Sequence, residues 1–407
     1  TGFLITPVGG GNLETGGGSA DNTTAVIKAY GSNIPLFEDS SAISAEVKQT
    51  LKEIYLFRQD VNVINVSGCS ALTRYTQQYC RPIAGNYIPE HLSVVSKFSA
   101  NQSLRTIDLI ESDGIVGDIN TAFQNLPELQ YLYLRGTSVT GSLVTDSFTG
   151  TEKLSVLTLD GTKIGVGADQ FFGNACFQNT NLTNLQLLNV SNVKGSLPVL
   201  TTQERLKQLY ITGSKITGGI PTFQENQVLS IINLSNNNLT GALPEIGFTQ
   251  RNATTQIILS NNALSSAIPA LSGSGLKIVR IDGNDFTGNL PSLALCANLV
   301  EFDAKDNKLS GYTVGSLATN EKIQSVNLSN NNLTEVSGPA IINDLYENYI
   351  LKPRKGVNIQ LTEQSGLTEY SIVNDGTGSG EGSTEFKLMV LRSNNWTISL
   401  DSGFTEE

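Results

Sequence analysis

Between Leu229 and Pro244 the apolar residues follow a fixed rhythm. Leu229, Ile232 and Leu234 come first, then Asn237, then Leu239, Gly241, Leu243 and Pro244. Counting Leu229 as position 1, these are positions 1, 4, 6, 9, 11, 13, 15 and 16. Positions 4 and 6 lie two residues apart, so both side chains fall on one face of a short strand. Position 1 enters the same core just ahead of the strand, and the later aliphatic residues bring the chain back into it. The template recurs at Leu206, Leu209, Ile211, Ser214, Ile216, Gly218, Ile220 and Pro221, and at Leu276, Val279, Ile281, Asn284, Phe286, Gly288, Leu290 and Pro291. Leu129, Leu132, Leu134, Thr137, Val139, Gly141 and Leu143 fit it without the proline. Further copies start at Leu104, Leu154, Leu185, Thr254, Leu299 and Ile323, giving ten units spaced 21 to 31 residues apart. A degenerate eleventh is read at Val61, with Ile64, Val66 and Cys69.

One such unit cannot bury its apolar face alone, so neighbouring units must stack. Position 9 sits where the chain turns inward, and an amide there can bond backbone groups of adjacent coils. Later units place Asn237, Asn262, Asn284, Asn307 and Asn331 at that position. Earlier ones use Ser112, Thr137, Thr162 and Ser214, which satisfy fewer bonds. The N-terminal half is therefore expected to be less regular. Phenylalanine recurs six residues before position 1, at Phe98, Phe123, Phe148, Phe223 and Phe248, which predicts an aromatic spine on the convex side. The segments ending in Pro predict short extended pieces beside the main sheet, because Pro cannot donate in a central ladder.

This is the leucine-rich-repeat pattern, and its Gly-x-Leu/Ile-Pro endings resemble the variant known from plant receptor ectodomains. The resemblance covers residues 61 to 340. It implies an α/β-type solenoid, a horseshoe with a parallel concave sheet and a mostly irregular, short-strand convex side. Ten strands at about 4.8 Å spacing make a sheet on the order of 45–50 Å long.

An open stack needs caps. Residues 40 to 56 read as a helix with Ile43, Val47, Leu51 and Ile54 on one face, forming a helical N-terminal cap over 39–100. Ahead of it, Gly9 to Asp21 has the composition of a linker, so residues 1–38 are expected to be a flexible or docking arm. The repeats occupy 101–338. Over 339–407, Pro339 to Leu351 reads as a helix, "KGVNIQLTE" as a strand, and "FKLMVLRSNNWTISLD" as a helical turn followed by a strand with Trp396. This mixed C-terminal cap resembles those of bacterial and tailed-phage leucine-rich-repeat proteins.

Repetition removes the inference from 407 residues to several domains. The net charge of -11 repels phosphate backbones, which argues against nucleic acid as a partner. No apolar run of 18 residues exists, so no membrane span is expected, and "TGFLITPVGG" does not read as a signal peptide. Of the cysteines at 69, 80, 176 and 296, only Cys69 and Cys80 are close enough in sequence to suggest a disulfide; four buried thiols is the other reading. The single histidine, His91, excludes most Ser-His and Cys-His arrangements and any usual zinc set. No phosphate loop, nucleophile elbow or His-Glu-x-x-His is present. Enzyme activity and cofactors are not expected.

Asp282, Asp285, Asp303 and Asp306 fall on consecutive coils and are a weak candidate for Ca²⁺; a solvated acidic edge balanced by Arg280 and Lys305 is the plainer reading. The eleven Asn-x-Ser/Thr triplets, including Asn233, Asn238, Asn327 and Asn332, are largely generated by the repeat. Position 5 points away from the core and is filled by Asp108, Tyr133, Thr158, Asn189, Tyr210, Asn233, Ile258, Arg280, Asp303 and Asn327. Tyrosine and arginine dominate binding hot spots, so Tyr131, Tyr133, Arg135 and Tyr210, with Arg280, form the expected ligand-binding face; tyrosines also suit any exposed strand. Two functions follow. One is a non-enzymatic recognition or adhesion protein, outside a cell or on a virion, that holds a protein or glycan. The other is a phage virion structural or decoration protein anchored through residues 1–38.

Overall fold

A computed structural model of the chain describes residues 12–15, 25–30, 49, 51–58, 66–80, 94, 97–98, 101–112, 114–143, 147–165, 176–177, 180–197, 200–244, 253–364, 367, 369–373 and 375–401. Two units divide at residue 216, and each is a parallel-sheet solenoid.

In the first unit the main sheet runs through Ala25–Tyr30, Leu51–Phe57, Arg74–Gln78, Thr106–Ile110, Tyr131–Arg135, Val156–Thr158, Asn184–Leu188 and Gln208–Thr212, all parallel. Asn12–Thr15 pairs antiparallel with Ala25–Tyr30 at the sheet's edge. The template residues face inward: Leu104, Ile107 and Leu109, and Leu129, Leu132 and Leu134, are fully buried. Each such side chain contributes about 1.5–3 kcal/mol by leaving water, and it can do so only because the next coil covers it.

Four sequence readings change here. Leu51–Phe57 is a strand, although Ile43, Val47, Leu51 and Ile54 share a helical phase. Leu51, Ile54 and Leu56 are buried at positions 1, 4 and 6 of the repeat, and pairing on both sides overrides the local period. Residue 49 is helical, and residues 40–48 lie outside the described residues. The strand that pairs next, Arg74–Gln78, belongs to a coil built on Leu72, Tyr75, Gln77 and Cys80; of the degenerate unit read at Val61, Val66 and Cys69 are buried just ahead of it, and Val61 and Ile64 lie outside the described residues. The unit read from Leu185 starts three residues earlier. Leu185 pairs with Leu209 and with Leu157, so Leu182, Leu185, Leu187 and Val190 are its positions 1, 4, 6 and 9, and Gln186 replaces Asn189 at position 5. The stretch read as a linker contains the strand Asn12–Thr15.

Aromatic stacking follows the expected phase in part. Phe98 and Phe123 stack at 6.2 Å, with Tyr75 edge-on to Phe98 at 5.2 Å. Phe148 stacks at 6.0 Å on Phe177, which the spacing had not included. Phe248 lies outside the described residues. The four cysteines are buried thiols, and no disulfide joins them, Cys69 and Cys80 included. Cys80 fills position 9, where its thiol reaches the Leu56 carbonyl at 3.6 Å.

The second unit stacks Ile231–Asn233, Gln256–Ile258, Ile278–Arg280, Glu301–Asp303 and Ser325–Asn327 in parallel. A second parallel sheet, Asn238–Gly241, Ala263–Ala267, Asp285–Leu290 and Lys308–Tyr312, is made by the segments after position 9. The amides between the two sheets form a ladder. Asn284 donates to the carbonyls of Leu259 at 3.1 Å and Ile281 at 3.0 Å and accepts from the Leu264 N–H at 3.0 Å. Asn262, Asn307 and Asn331 repeat this pattern. Gln364 takes the same part at the end, accepting from Leu333 N–H and donating to Leu328 O.

The C-terminal elements continue the stack. Asn358–Gln360 pairs with Ser325–Asn327, and Thr397–Ser399 pairs with Asn358–Gln360, both parallel. Helix Ser337–Leu351 has Pro339 in its first turn, where a missing N–H breaks no helical bond. It is fixed to the preceding coil by buried polar groups. Asp344 accepts from the Tyr312 hydroxyl at 2.6 Å, and Asn348 donates to the Leu317 carbonyl at 2.6 Å. Where a helical turn was read there is a ten-residue helix, Thr384–Ser393, capped by Ser383 accepting from the Phe386 N–H. Trp396 donates to the Arg354 carbonyl at 2.9 Å, with the Arg354 guanidinium 5.0 Å over its ring.

Candidate ligand-binding face

Odd positions of the strands point out of the core, and the pairing register sets which of them are neighbours. In the first unit one lateral row is Tyr55, Thr76, Asp108, Tyr133, Thr158, Gln186 and Tyr210. A second row on one side is Phe57, Gln78, Ile110 and Arg135; on the other side lie Glu53, Arg74, Thr106 and Tyr131. Tyr131, Tyr133 and Arg135 therefore share one strand, with Tyr131 exposed and the other two half-buried. Tyr210 sits in Tyr133's row but three strands away, about 14 Å. Arg280 belongs to the second unit.

Polar side chains on this face are tied to one another. Gln78 Nε2 donates to Asp108 Oδ2 at 2.8 Å. Asp160 accepts from Gln186 Nε2 at 2.6 Å and from the Leu188 N–H at 3.1 Å, and it pairs with Arg135 Nε at 3.3 Å. Asn184 Nδ2 donates to Gln208 Oε1 at 2.7 Å. Burial holds the carboxyls of Asp108 and Asp160 above the usual aspartate range, against the bonds from Gln78 and Gln186 and the nearby Arg135. Burial, with the Asp108 charge beside it, also pushes the Tyr133 hydroxyl up.

In the second unit, Arg280 makes a two-pronged pair with Glu301, Nε to Oε1 at 2.6 Å and a terminal nitrogen to Oε2 at 3.1 Å. This bond raises the guanidinium's already high pKa. Asp303 is pushed up by burial and by the charges of Asp282 and Glu301. The four aspartates considered for Ca²⁺ do not converge. Asp282 accepts from Ser260, Asp285 pairs with Lys308 at 2.6 Å on the second sheet, and Asp306 accepts from Asn330 at 2.7 Å. Asp303 lies on the main sheet and Asp285 on the second sheet, with a turn between them in each coil. Among the described residues no three His, Cys, Asp or Glu side chains gather as a metal site would require, and no helix is long and apolar enough to cross a membrane. His91 lies outside the described residues.

Sequence reasoning missed Tyr55, Phe57 and Tyr79. They sit on two coils whose position 4 and 6 residues, Ile54 with Leu56 and Tyr75 with Gln77, meet the template once Leu51 and Leu72 are taken as position 1. Searching for 1-4-6 spacing without requiring leucine would have found both.

A leucine-rich-repeat family model matches residues 228–247. The sequence finds no match among curated proteins. Among solved structures, the fold is similar to a TDR receptor, with a TM-score of 0.57 at 16% identity, over 79% of this chain and 57% of that one. It is similar to a plant peptide hormone receptor, RGFR1, in complex with RGF2, with a TM-score of 0.54 at 20% identity and the same coverage, 79% and 57%. A third is the Arabidopsis receptor kinase HAESA in complex with the peptide hormone IDA and the co-receptor SERK1, at 0.54 and 18% identity, over 86% of this chain and 55% of that one. The chain thus spans little more than half the length of these structures. With the strand rungs, the ladder of buried amides and the family match in agreement, the chain is built of leucine-rich repeats and carries the leucine-rich-repeat fold.

Proposed function

We propose that this chain is a non-enzymatic recognition protein that presents the main-sheet face of its first unit to a protein or glycan outside a cell. The observation behind the reading is the grouping of Tyr131, Tyr133 and Arg135 on one strand, flanked by polar side chains already held by their neighbours. Large, stiff side chains on a pre-set surface gain contact area at little entropic cost. The structural relatives named above are receptor domains, two of them with a peptide hormone bound, which supports a binding role by analogy of fold only.

The alternative, a virion component anchored through residues 1–38, needs that segment to be available to an assembly. Ala25–Tyr30 instead pairs with Leu51–Phe57.

The test uses the full chain, immobilised and exposed in turn to secreted proteins, peptides and oligosaccharides. A ligand that the Tyr131→Ala/Tyr133→Ala/Arg135→Ala variant loses while keeping its melting temperature supports the reading. A ligand that this variant holds equally well puts recognition elsewhere.

A further inference from the structure

The coils from Leu51–Phe57 to Tyr131–Arg135 carry several aromatic rings on this face, while the later described strands of the first unit add only Tyr210. Tyr55 and Phe57 come from one strand, Tyr131 and Tyr133 from the strand three steps on, and Tyr79 from the turn that ends the strand beside Phe57. Tyr55 and Tyr133 share a lateral row about 14 Å long with Thr76 and Asp108 between them. Phe57 and Tyr79 meet edge to face at 5.7 Å, and the Arg58 guanidinium lies 5.2 Å over the Phe57 ring. Tyr79 keeps 49% of its surface exposed and Tyr131 keeps 38%.

Charge on this patch nearly cancels. Glu53, Asp108, Glu111 and Asp160 stand against Arg58, Arg74 and Arg135, on a chain whose net charge is -11. A charged ligand gains little from a balanced surface, whereas a neutral polar one meets both donors and acceptors. Those groups are planar amides, carboxylates and a guanidinium, and Gln78, Asp108 and Arg135 are fixed by contacts within the protein.

The backbone narrows the ligand further. Leu51–Phe57, Arg74–Gln78, Thr106–Ile110 and Tyr131–Arg135 are each paired on both sides, so an extended peptide finds no free strand edge to join. What remains is ring faces alternating with fixed hydrogen-bonding groups. A chain of sugars matches this arrangement, since each ring offers a C–H face for stacking and hydroxyls at its rim.

We propose that Tyr55, Phe57, Tyr79, Tyr131 and Tyr133 form a binding face for a neutral oligosaccharide, with Gln78, Asp108 and Arg135 bonding its hydroxyls. This rests on the reading of the sheet as a recognition surface and adds the ligand's chemical class.

Short oligomers of glucose, mannose, galactose and xylose, titrated into the full chain by calorimetry and ligand-observed NMR, test it. At least one should bind, with little dependence on salt. Tyr79→Ala and Tyr133→Ala should each weaken that binding by about tenfold or more, while Met389→Ala, an exposed side chain of the second unit, leaves it unchanged. Melting temperatures of the variants separate lost binding from lost folding. No binding by any neutral sugar, binding only of anionic sugars with steep salt dependence, or binding undiminished in both tyrosine variants overturns the proposal. A peptide held through Tyr133 and Arg135 in place of every sugar overturns it and leaves the recognition reading standing. A face that takes neither removes both.

Discussion

Asn284 in the second unit and Thr137 in the first occupy the same place in their coils. Asn284 bonds two coils at once through four hydrogen bonds. Among the described residues, the buried Thr137 hydroxyl has no partner, and neither has Ser214's. Ser112 reaches the Gln77 and Ile110 carbonyls at 3.1 Å, Thr162 reaches Leu159 at 3.0 Å, and Val190 has nothing to offer. Both units use the same aliphatic slots, so burial alone suffices to build a coil. Asn262, Asn284, Asn307 and Asn331 each tie two coils, and Ser112 does so through Gln77, whereas among the described residues Thr137, Thr162 and Ser214 make no such tie.

Position 8 differs in the same direction. Its φ is positive throughout, a region that Gly, Asn and Asp enter most readily. The second unit places Asn236, Asn261, Gly283, Asp306 and Asn330 there. The first three coils of the first unit place Arg58, Tyr79 and Glu111, with φ of 53°, 55° and 45°. The strain gathers on the coils that carry Arg58, Tyr79 and Glu111, at the rim of the aromatic face; the rest of the first unit has Gly136, Gly161, Asn189 and Gly213 at this position, and the second unit has one comparable residue, Glu363, at 58°.

The strongest way to break this comparison is to remove an amide. Asn284→Ala strands the Leu259 and Ile281 carbonyls and the Leu264 N–H in a dry interior. It should cost about 3–5 kcal/mol, since each orphaned group costs about 1–3, and the loss is readable as a lower denaturant midpoint. Hydrogen exchange should quicken first in the coils around residues 254–310. A cost under about 1 kcal/mol would mean that the ladder is decoration.

The reciprocal change sharpens it. Ser214→Asn offers an amide where a buried hydroxyl now has no partner, and should stabilise the first unit by about 0.5–1.5 kcal/mol in urea unfolding. Destabilisation would show that the first unit's slots are also narrower, so that chain length rather than chemistry had excluded the amide.

Glu111→Asn is a smaller step. It relieves a left-handed backbone at a residue that seldom adopts it, for a gain of about 0.5–1 kcal/mol in thermal unfolding. The side chain then has less reach over Gly136, whose absent Cβ would come within 2.6 Å of the Glu111 carboxylate.

How far the sequence reveals all this depends on which residue fills each slot. From Leu229 onward, apolar residues and asparagine stand where the template asks for them, apart from Thr254 at position 1, and the register reads directly. Before that, Tyr75, Gln77 and Cys80 fill apolar and amide slots in the coil begun by Leu72, so a leucine search passes over it. Leu51 and Ile54 happen also to fit a helix, and only pairing with Arg74–Gln78 decides between the two. The run Leu182, Leu185, Leu187 and Leu188 satisfies two registers, and strand partners choose one. Half of the candidate face, Tyr131, Tyr133 and Arg135, was legible because its coil is regular. Tyr55, Phe57 and Tyr79 were hidden because theirs are not.

The smallest effect concerns acid. Asp108 and Asp160 on the first unit's face, and Asp303 on the second's, have folded pKa values raised by burial. An unfolded aspartate ionises first as pH rises, so each of these groups costs stability once pH passes the ordinary aspartate range. Lowering pH from neutral towards that range should therefore raise the melting temperature slightly. Glu369 opposes this at lower pH. Its bond from Arg392 holds it below the usual glutamate range, and that stabilisation is lost as pH falls through its folded pKa. The expected profile is a shallow maximum in mild acid. Asp108→Asn keeps an acceptor for Gln78 and should flatten the acid-side rise in the first unit, while Asp303→Asn should flatten it in the second. If Asp108→Asn leaves the profile unchanged, Asp108 is better hydrated than its place between Gln78 and Tyr133 implies, and the pre-set character of the first unit's face is weaker than its hydrogen bonds suggest.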